Sequence, residues 1–195
     1  MSPKRVHRFV LLHMIHEGEI MAKTSRTQIE KDERQIISLL QENARATIED
    51  MTDKLGFSRQ KIWRIIKRLE ENRTIWGYSA VVNDEKIKKK RYLMLIKKSM
   101  KPMNTLVDKI VELTMQKKGK QINVQIEYSM FLHGEYDWMF MFLASDMKDV
   151  KKFTEILTKE YEQVIGNITV IECVFPVQKK GLINPNVSQL KDFFL

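Results

Sequence analysis

Residues 47–72, TIEDMTDKLGFSRQKIWRIIKRLEEN, decide the fold. Thr47 with an acid three residues later, Asp50, has the form of a capping box, and Ile48, Met51 and Leu55 fall on one face of the helix it would start. Gly56-Phe57-Ser58 then reads as a tight turn: Gly56 takes the left-handed conformation and Ser58 caps a further helix. In that helix Ile62, Ile65, Ile66 and Leu69 stand at offsets 0, 3, 4 and 7, one apolar stripe. The opposite face presents Arg59, Gln60, Trp63, Arg64 and Lys67. Helix, turn and capped cationic helix in close order predict a helix-turn-helix.

Upstream, Ile36, Ile37, Leu39 and Leu40 predict a first helix starting near Asp32, with Asp32 or Glu33 favourable at its positive end and Asn43-Ala44-Arg45 terminating it. Downstream, Ile75–Val82 reads as a strand interrupted by Gly77. These elements place the helix-turn-helix in a unit over residues 32–83. Residues 1–31 form a basic arm with His7, His13 and His16, read as an amphipathic arm without a metal site. Its apolar run, Phe9–Leu12, is too short for a signal-peptide core of ~7–15 residues.

Residues 84–91 contain Lys86, Lys88, Lys89, Lys90 and Arg91 without apolar periodicity and read as a solvated basic linker or the lead-in to a strand. From residue 92 to 185 the pattern is strand (Tyr92–Ile96), helix (Met103–Lys117), strand (Ile122–Met130), strand (Trp138–Ala144), helix (Met147–Val164) and strand (Ile168–Phe175). This βαββαβ order is ferredoxin-like, and the fold class is therefore α+β. The first and third strands are near-continuous apolar runs, which places them centrally. The second alternates, with Ile122, Val124, Ile126, Tyr128 and Met130 on one face, as an edge strand should. The third strand is apolar on both faces, so its second face is expected to pack on the sheet of a second subunit. Residues 186–195 form an apolar-rich tail ending Leu190-Lys191-Asp192-Phe193-Phe194-Leu195.

Composition limits the function. The formal charge of +9 favours an anionic partner, most simply nucleic acid. The longest apolar run, Trp138–Ala144, is far short of the ~18 residues that a membrane-spanning helix needs, and a lone Cys173 forms no intrachain disulfide. A soluble, cytoplasmic protein without a cofactor is expected. No paired carboxylates, nucleophile constellation or glycine-rich phosphate loop points to an enzyme. The candidate DNA-binding residues are Arg45, Ser58, Arg59, Gln60, Lys61, Trp63, Arg64, Lys67 and Arg68. Arg59, Gln60 and Arg64 lie in the first two turns of the second helix, where arginine reads guanine and glutamine reads adenine. Lys61, Lys67 and Arg68 are expected at phosphates, and Trp63 at a thymine methyl or the groove edge.

Residues Asp32–Asn83, with Gln41-Glu42-Asn43-Ala44-Arg45, Leu55-Gly56-Phe57-Ser58, Arg68-Leu69-Glu70 and Ile75-Trp76-Gly77-Tyr78, resemble the winged helix-turn-helix of the leucine-responsive regulator/AsnC (feast/famine) transcription factors. Gly134-Glu135-Tyr136-Asp137 resembles the Gly-x-Tyr-Asp loop of that family's ferredoxin-like effector domain, so the resemblance runs to about Pro185. It implies double-stranded DNA as partner, homodimers that assemble into tetramers or octamers, transcriptional control, and a small effector, commonly an amino acid.

On this reading His133, Gly134, Glu135, Tyr136 and Asp137 are the effector-binding candidates. Gly134 and Glu135 offer backbone N–H groups to a carboxylate and Asp137 accepts an ammonium; equally, Gly134 and Asp137 serve only to shape the turn. Arg73 stands where the family usually has glycine, so Asn72 is expected to supply the left-handed residue. Two other functions fit the sequence less well. One is a DNA-coating architectural protein with little sequence preference. The other is an enzyme like the siroheme decarboxylases, for which His133 would be the histidine beside a tetrapyrrole.

Overall fold

Helical backbone runs over residues 25–42 (α1), followed by α2 (Ile48–Leu55) and α3 (Arg59–Glu71). The structure is a computed structural model that describes residues 25–100 and 107–194; the arm histidines and the expected helix start at Met103 lie outside them. The chain divides between Ala80 and Val81 into two compact units. The first has its own core of Ile36, Met51, Ile62, Ile65 and Leu69. Thr47 closes a full capping box with Asp50, Gly56 ends α2 at φ 67°, and the Ser58 hydroxyl accepts the Lys61 N–H at 3.3 Å.

Three expectations for this unit are corrected. The first helix is already formed at residue 25, so Asp32 and Glu33 lie within it rather than at its end. The expected strand Ile75–Val82 is absent, because among the described residues no second strand pairs with it. Arg73, not Asn72, takes the left-handed conformation: Arg73 has φ 61° and Asn72 has φ −82°. The Asn72 side chain instead accepts the Thr74 N–H at 3.0 Å, which closes the turn and leaves Arg73 to bear the strain of a Cβ in that region.

The second unit is a four-stranded antiparallel sheet of β1 (Lys90–Lys98), β2 (Gln125–Phe131), β3 (Trp138–Ala144) and β4 (Ile165–Cys173), in the order β2-β3-β1-β4. The first and third strands are central, as the apolar runs required. One sheet face carries Tyr92, Met94, Ile96, Trp138, Phe140 and Phe142, all buried. Against them pack Met115 of α5 (Thr114–Gln121) and Val150, Phe153 and Leu157 of α6 (Met147–Glu160). The single expected helix Met103–Lys117 is instead broken. α4 (Val107–Val111) closes at Leu113, which adopts φ 56°, and α5 continues to Gln121. A left-handed Asn123 then turns the chain into β2, which therefore starts at Gln125 rather than Ile122.

β2 also carries a bulge between Ile126 and Tyr128. Because side chains alternate with a period of two, the extra residue, Glu127, changes which face each later residue meets. Ile126 pairs with buried Phe142, whereas Tyr128 and Met130 pair with Met141 and Met139 on the other face. The expected single stripe from Ile122 to Met130 is thus split. Ser129 and Phe131 take the helix side instead: Ser129 accepts the Trp138 indole N–H at 3.0 Å, and Phe131 stacks on Trp138 with centroids 5.3 Å apart.

The bulged Glu127 joins a charged network. Arg91 donates to Glu127 and, at 3.1 and 3.2 Å, to Asp84; Lys179 reaches Asp84 at 2.7 Å and the Val82 carbonyl at 3.1 Å. Lys179 lies in β5 (Gln178–Lys179), which pairs with β6 (Leu182–Ile183) across a Lys180-Gly181 turn. Charge without periodicity suggested a solvated linker over residues 84–91, but Asp84 and Arg91 are largely buried, at 12% and 13% side-chain exposure. Opposite charges brought in by the bulge and the C-terminal hairpin make that burial possible. The tail ends in a short helix, α7 (Leu190–Phe194).

Candidate nucleic-acid interface

α3 is amphipathic in three sectors. The Ile62, Ile65 and Leu69 sector is buried in the helical core. At 100° per residue, Lys61 and Arg68 share one flank. Both turn toward α1: Lys61 binds Asp32 at 2.7 Å and sits 3.7 Å over the Phe57 ring, and the Arg68 Nε donates to Glu33 at 2.8 Å. These two cations, expected at phosphates, are engaged within the protein.

The remaining sector carries Gln60, Arg64 and Lys67, with Trp63 beside it; all four are exposed. Arg64 has no ion pair or side-chain hydrogen bond among the described residues. Lys67 lies 3.8 Å from Glu71 and 5.0 Å over the Trp63 ring. Arg59 pairs with Glu49 at 3.0 Å, but both are well exposed, so the pair contributes little and opens easily. Ser58 is occupied as the cap, and Arg45 is exposed in the turn between α1 and α2. The early turns of α3 therefore offer two arginines and a glutamine to a groove.

Asp32 and Glu33 were not foreseen as the residues that hold α3 against α1. A signal was present: Asp32 precedes Ile36 by four residues, which puts a carboxylate on the buried stripe, where it needs a partner. Burial pushes the Asp32 carboxyl up, but hydrogen bonds from Lys61 and Gln28 and the Lys61 charge outweigh it and hold the group below its ordinary value. A depressed folded value stabilises above the unfolded value of about 3.9 and is lost as pH falls through the folded one. The stability advantage of the wild type over Asp32→Asn is therefore expected to be full at neutral pH and to shrink below about pH 4. Amide exchange at Ile62 and Ile65 across pH measures it.

The effector candidates form the β2–β3 loop. Leu132 N–H donates to the Asp137 carbonyl at 2.8 Å, and Asp137 N–H donates to the Ile96 carbonyl at 2.9 Å. The Asp137 carboxylate accepts the Lys98 N–H at 2.9 Å, Glu135 pairs with Lys97 at 3.0 Å, and Lys97 sits 5.5 Å from the Tyr136 ring centre. His133 and Gly134 are exposed. Asp137 and Glu135 thus already serve the turn. Among the described residues no three His, Cys, Asp or Glu side chains cluster as metal ligands, and no helix is long and apolar enough to cross a membrane.

Residues 33–75 match a family model described as winged helix-turn-helix DNA-binding. No curated protein sequence matches the chain. Solved structures of similar fold include the leucine response regulatory protein of Mycobacterium tuberculosis, 15% identical, covering 76% of this chain and 94% of its own, with TM-score 0.59. An AsnC family transcriptional regulator from Agrobacterium tumefaciens is 16% identical, covers 84% and 97%, and has TM-score 0.58. A transcriptional regulator from Neisseria meningitidis in complex with L-Met is also 16% identical, covers 79% and 95%, and has TM-score 0.58. The chain thus carries a winged helix-turn-helix followed by a ferredoxin-like unit, the fold of the leucine-responsive regulator/AsnC transcription regulators.

Proposed function

We propose that this protein is a sequence-specific DNA-binding transcription regulator whose recognition helix is α3. The observation that carries the reading is the exposed Gln60, Arg64 and Lys67 sector on a helix whose other flank is pinned by Lys61–Asp32 and Arg68–Glu33. A pinned helix presents its free cations in one register, which base readout requires and a merely solvated charged surface does not. Arg64 and Gln60 read base edges; Lys67 and, once released from Glu49, Arg59 hold phosphates.

A homodimer completes the site, because two recognition helices about 34 Å apart match one turn of duplex. The outer sheet face supplies the contact: Leu93, Leu95, Met139, Met141 and Ile171 form an apolar surface that the helices of the same unit do not cover. The effector is an amino acid held at the 133–137 loop, with the Gly134 and Glu135 N–H groups on its carboxylate. The L-Met complex of the meningococcal regulator supports that chemical class.

Arg64→Ala is expected to cost about 1–3 kcal/mol of binding to the preferred duplex and to relax specificity at one position. Lys67→Ala weakens all sequences alike and lowers the salt slope by about one. Fluorescence anisotropy of full-length variants on preferred and shuffled duplexes separates the two, and unchanged affinity of Arg64→Ala would remove that residue from the readout.

A further inference from the structure

On α3 the flank opposite Lys61 and Arg68 carries Trp63 and Glu70, seven residues apart and so nearly in line. The segment after the helix is fastened to the end of α3 at two points, one of them on this flank. The Ile75 N–H donates to the Leu69 carbonyl at 2.9 Å with its side chain packed on the helical core, and the Tyr78 hydroxyl donates to Glu70 at 3.0 Å. Between these fastenings stands Trp76, 95% exposed, while Trp63 on the same flank is 56% exposed with Lys67 above its ring. An indole held out from a fastened backbone, rather than at the end of a loose loop, has a defined place to meet a partner. Arg64, Lys67 and Arg73, all exposed, lie in the same stretch of chain and give it a positive charge.

We propose that Trp76 is a DNA-contacting residue of this protein, its ring packing on deoxyribose and its indole N–H donating to phosphate beside the groove that α3 enters. The inference rests on the reading of α3 as a recognition helix. Such a contact positions the duplex and carries no base information. It releases no counterion, because the indole is uncharged. Trp76 therefore differs from the cations of α3 in a measurable way: its loss lowers affinity without altering the salt dependence.

The test is fluorescence anisotropy of the full chain and its Trp76→Ala and Trp76→Phe variants on one labelled random-sequence duplex and one from the gene's upstream region, across a salt series, with oligomer mass measured in parallel. About a tenfold loss for Trp76→Ala on both duplexes is expected, with unchanged salt slope, unchanged mass and only part of the affinity recovered in Trp76→Phe, which keeps a ring but no N–H. Wild-type binding with equal affinity of Trp76→Ala overturns the contact while leaving α3 as the reader. A loss accompanied by smaller mass overturns it in favour of a second copy covering the ring. Failure of the wild type to bind either duplex overturns both this contact and the recognition reading.

Discussion

Phe153→Ala lowers the stability of the sheet unit by about 3–5 kcal/mol. The side chain is fully buried, meeting Phe142 at 4.9 Å and Phe140 edge-on at 5.9 Å between ring centres. It also lies beneath α5 at Gly119, where an added Cβ would stand 3.7 Å from the Phe153 ring and 3.1 Å from the Val124 carbonyl. A backbone carbonyl so close leaves α5 little room to settle into the vacated volume, so the cavity remains and its full cost is felt. Urea unfolding followed by Trp138 emission, in a background in which Trp63 and Trp76 are replaced by Phe, measures the change. The core of α1, α2 and α3 shares no residue with this cluster, so amide exchange at Ile62 is expected to stay at its wild-type rate. A loss below about 1 kcal/mol would mean that the helices over the sheet repack freely.

Arg91→Met is expected to cost the same unit about 3 kcal/mol, the lower end of the range for breaking a buried ion pair because Glu127 keeps 21% of its side chain in water. The substitution keeps most of the stem's packing and removes the charge that neutralises two carboxylates. Asp84 retains Lys179, but Glu127 loses the partner that its bulge brings it to. The segment 82–89 should loosen with it, since Asp84 is its main attachment to β1. Trypsin cleavage at Lys86, Lys88 and Lys89 is therefore expected to accelerate in this variant. An unchanged cleavage rate with unchanged stability would show the network to be an incidental surface arrangement.

What was legible in the sequence was local chemistry. The Thr47–Asp50 box, the Gly56 turn and the Ser58 cap are properties of neighbouring residues, and they stand in the structure as the residue types require. The central places of β1 and β3 were legible in their near-continuous apolar runs. What was hidden depends on contacts distant in sequence. The bulge at Glu127 lies in the pairing with β3, and the partner of Glu127, Arg91, is 36 residues away, so the alternation of Ile122–Met130 looked uninterrupted. Leu113 in a left-handed conformation breaks a helix that its propensities allow to continue. Lys61 and Arg68 looked like phosphate contacts because only the three-dimensional packing of α1 places Asp32 and Glu33 beside them. The same fact divides the candidates, since Lys61 and Arg68 are paired with α1 whereas Gln60, Arg64 and Lys67 form the exposed sector.

The central claim is that this chain reads DNA sequence through α3, and binding of the full protein to labelled duplex from the gene's own upstream region tests it most directly. The comparison is shuffled duplex of equal length, across a salt series, by fluorescence anisotropy. A preference of about 10³-fold or more for the native duplex is the predicted result. Equal, steeply salt-dependent binding to both duplexes would contradict sequence reading and describe a DNA-coating protein instead.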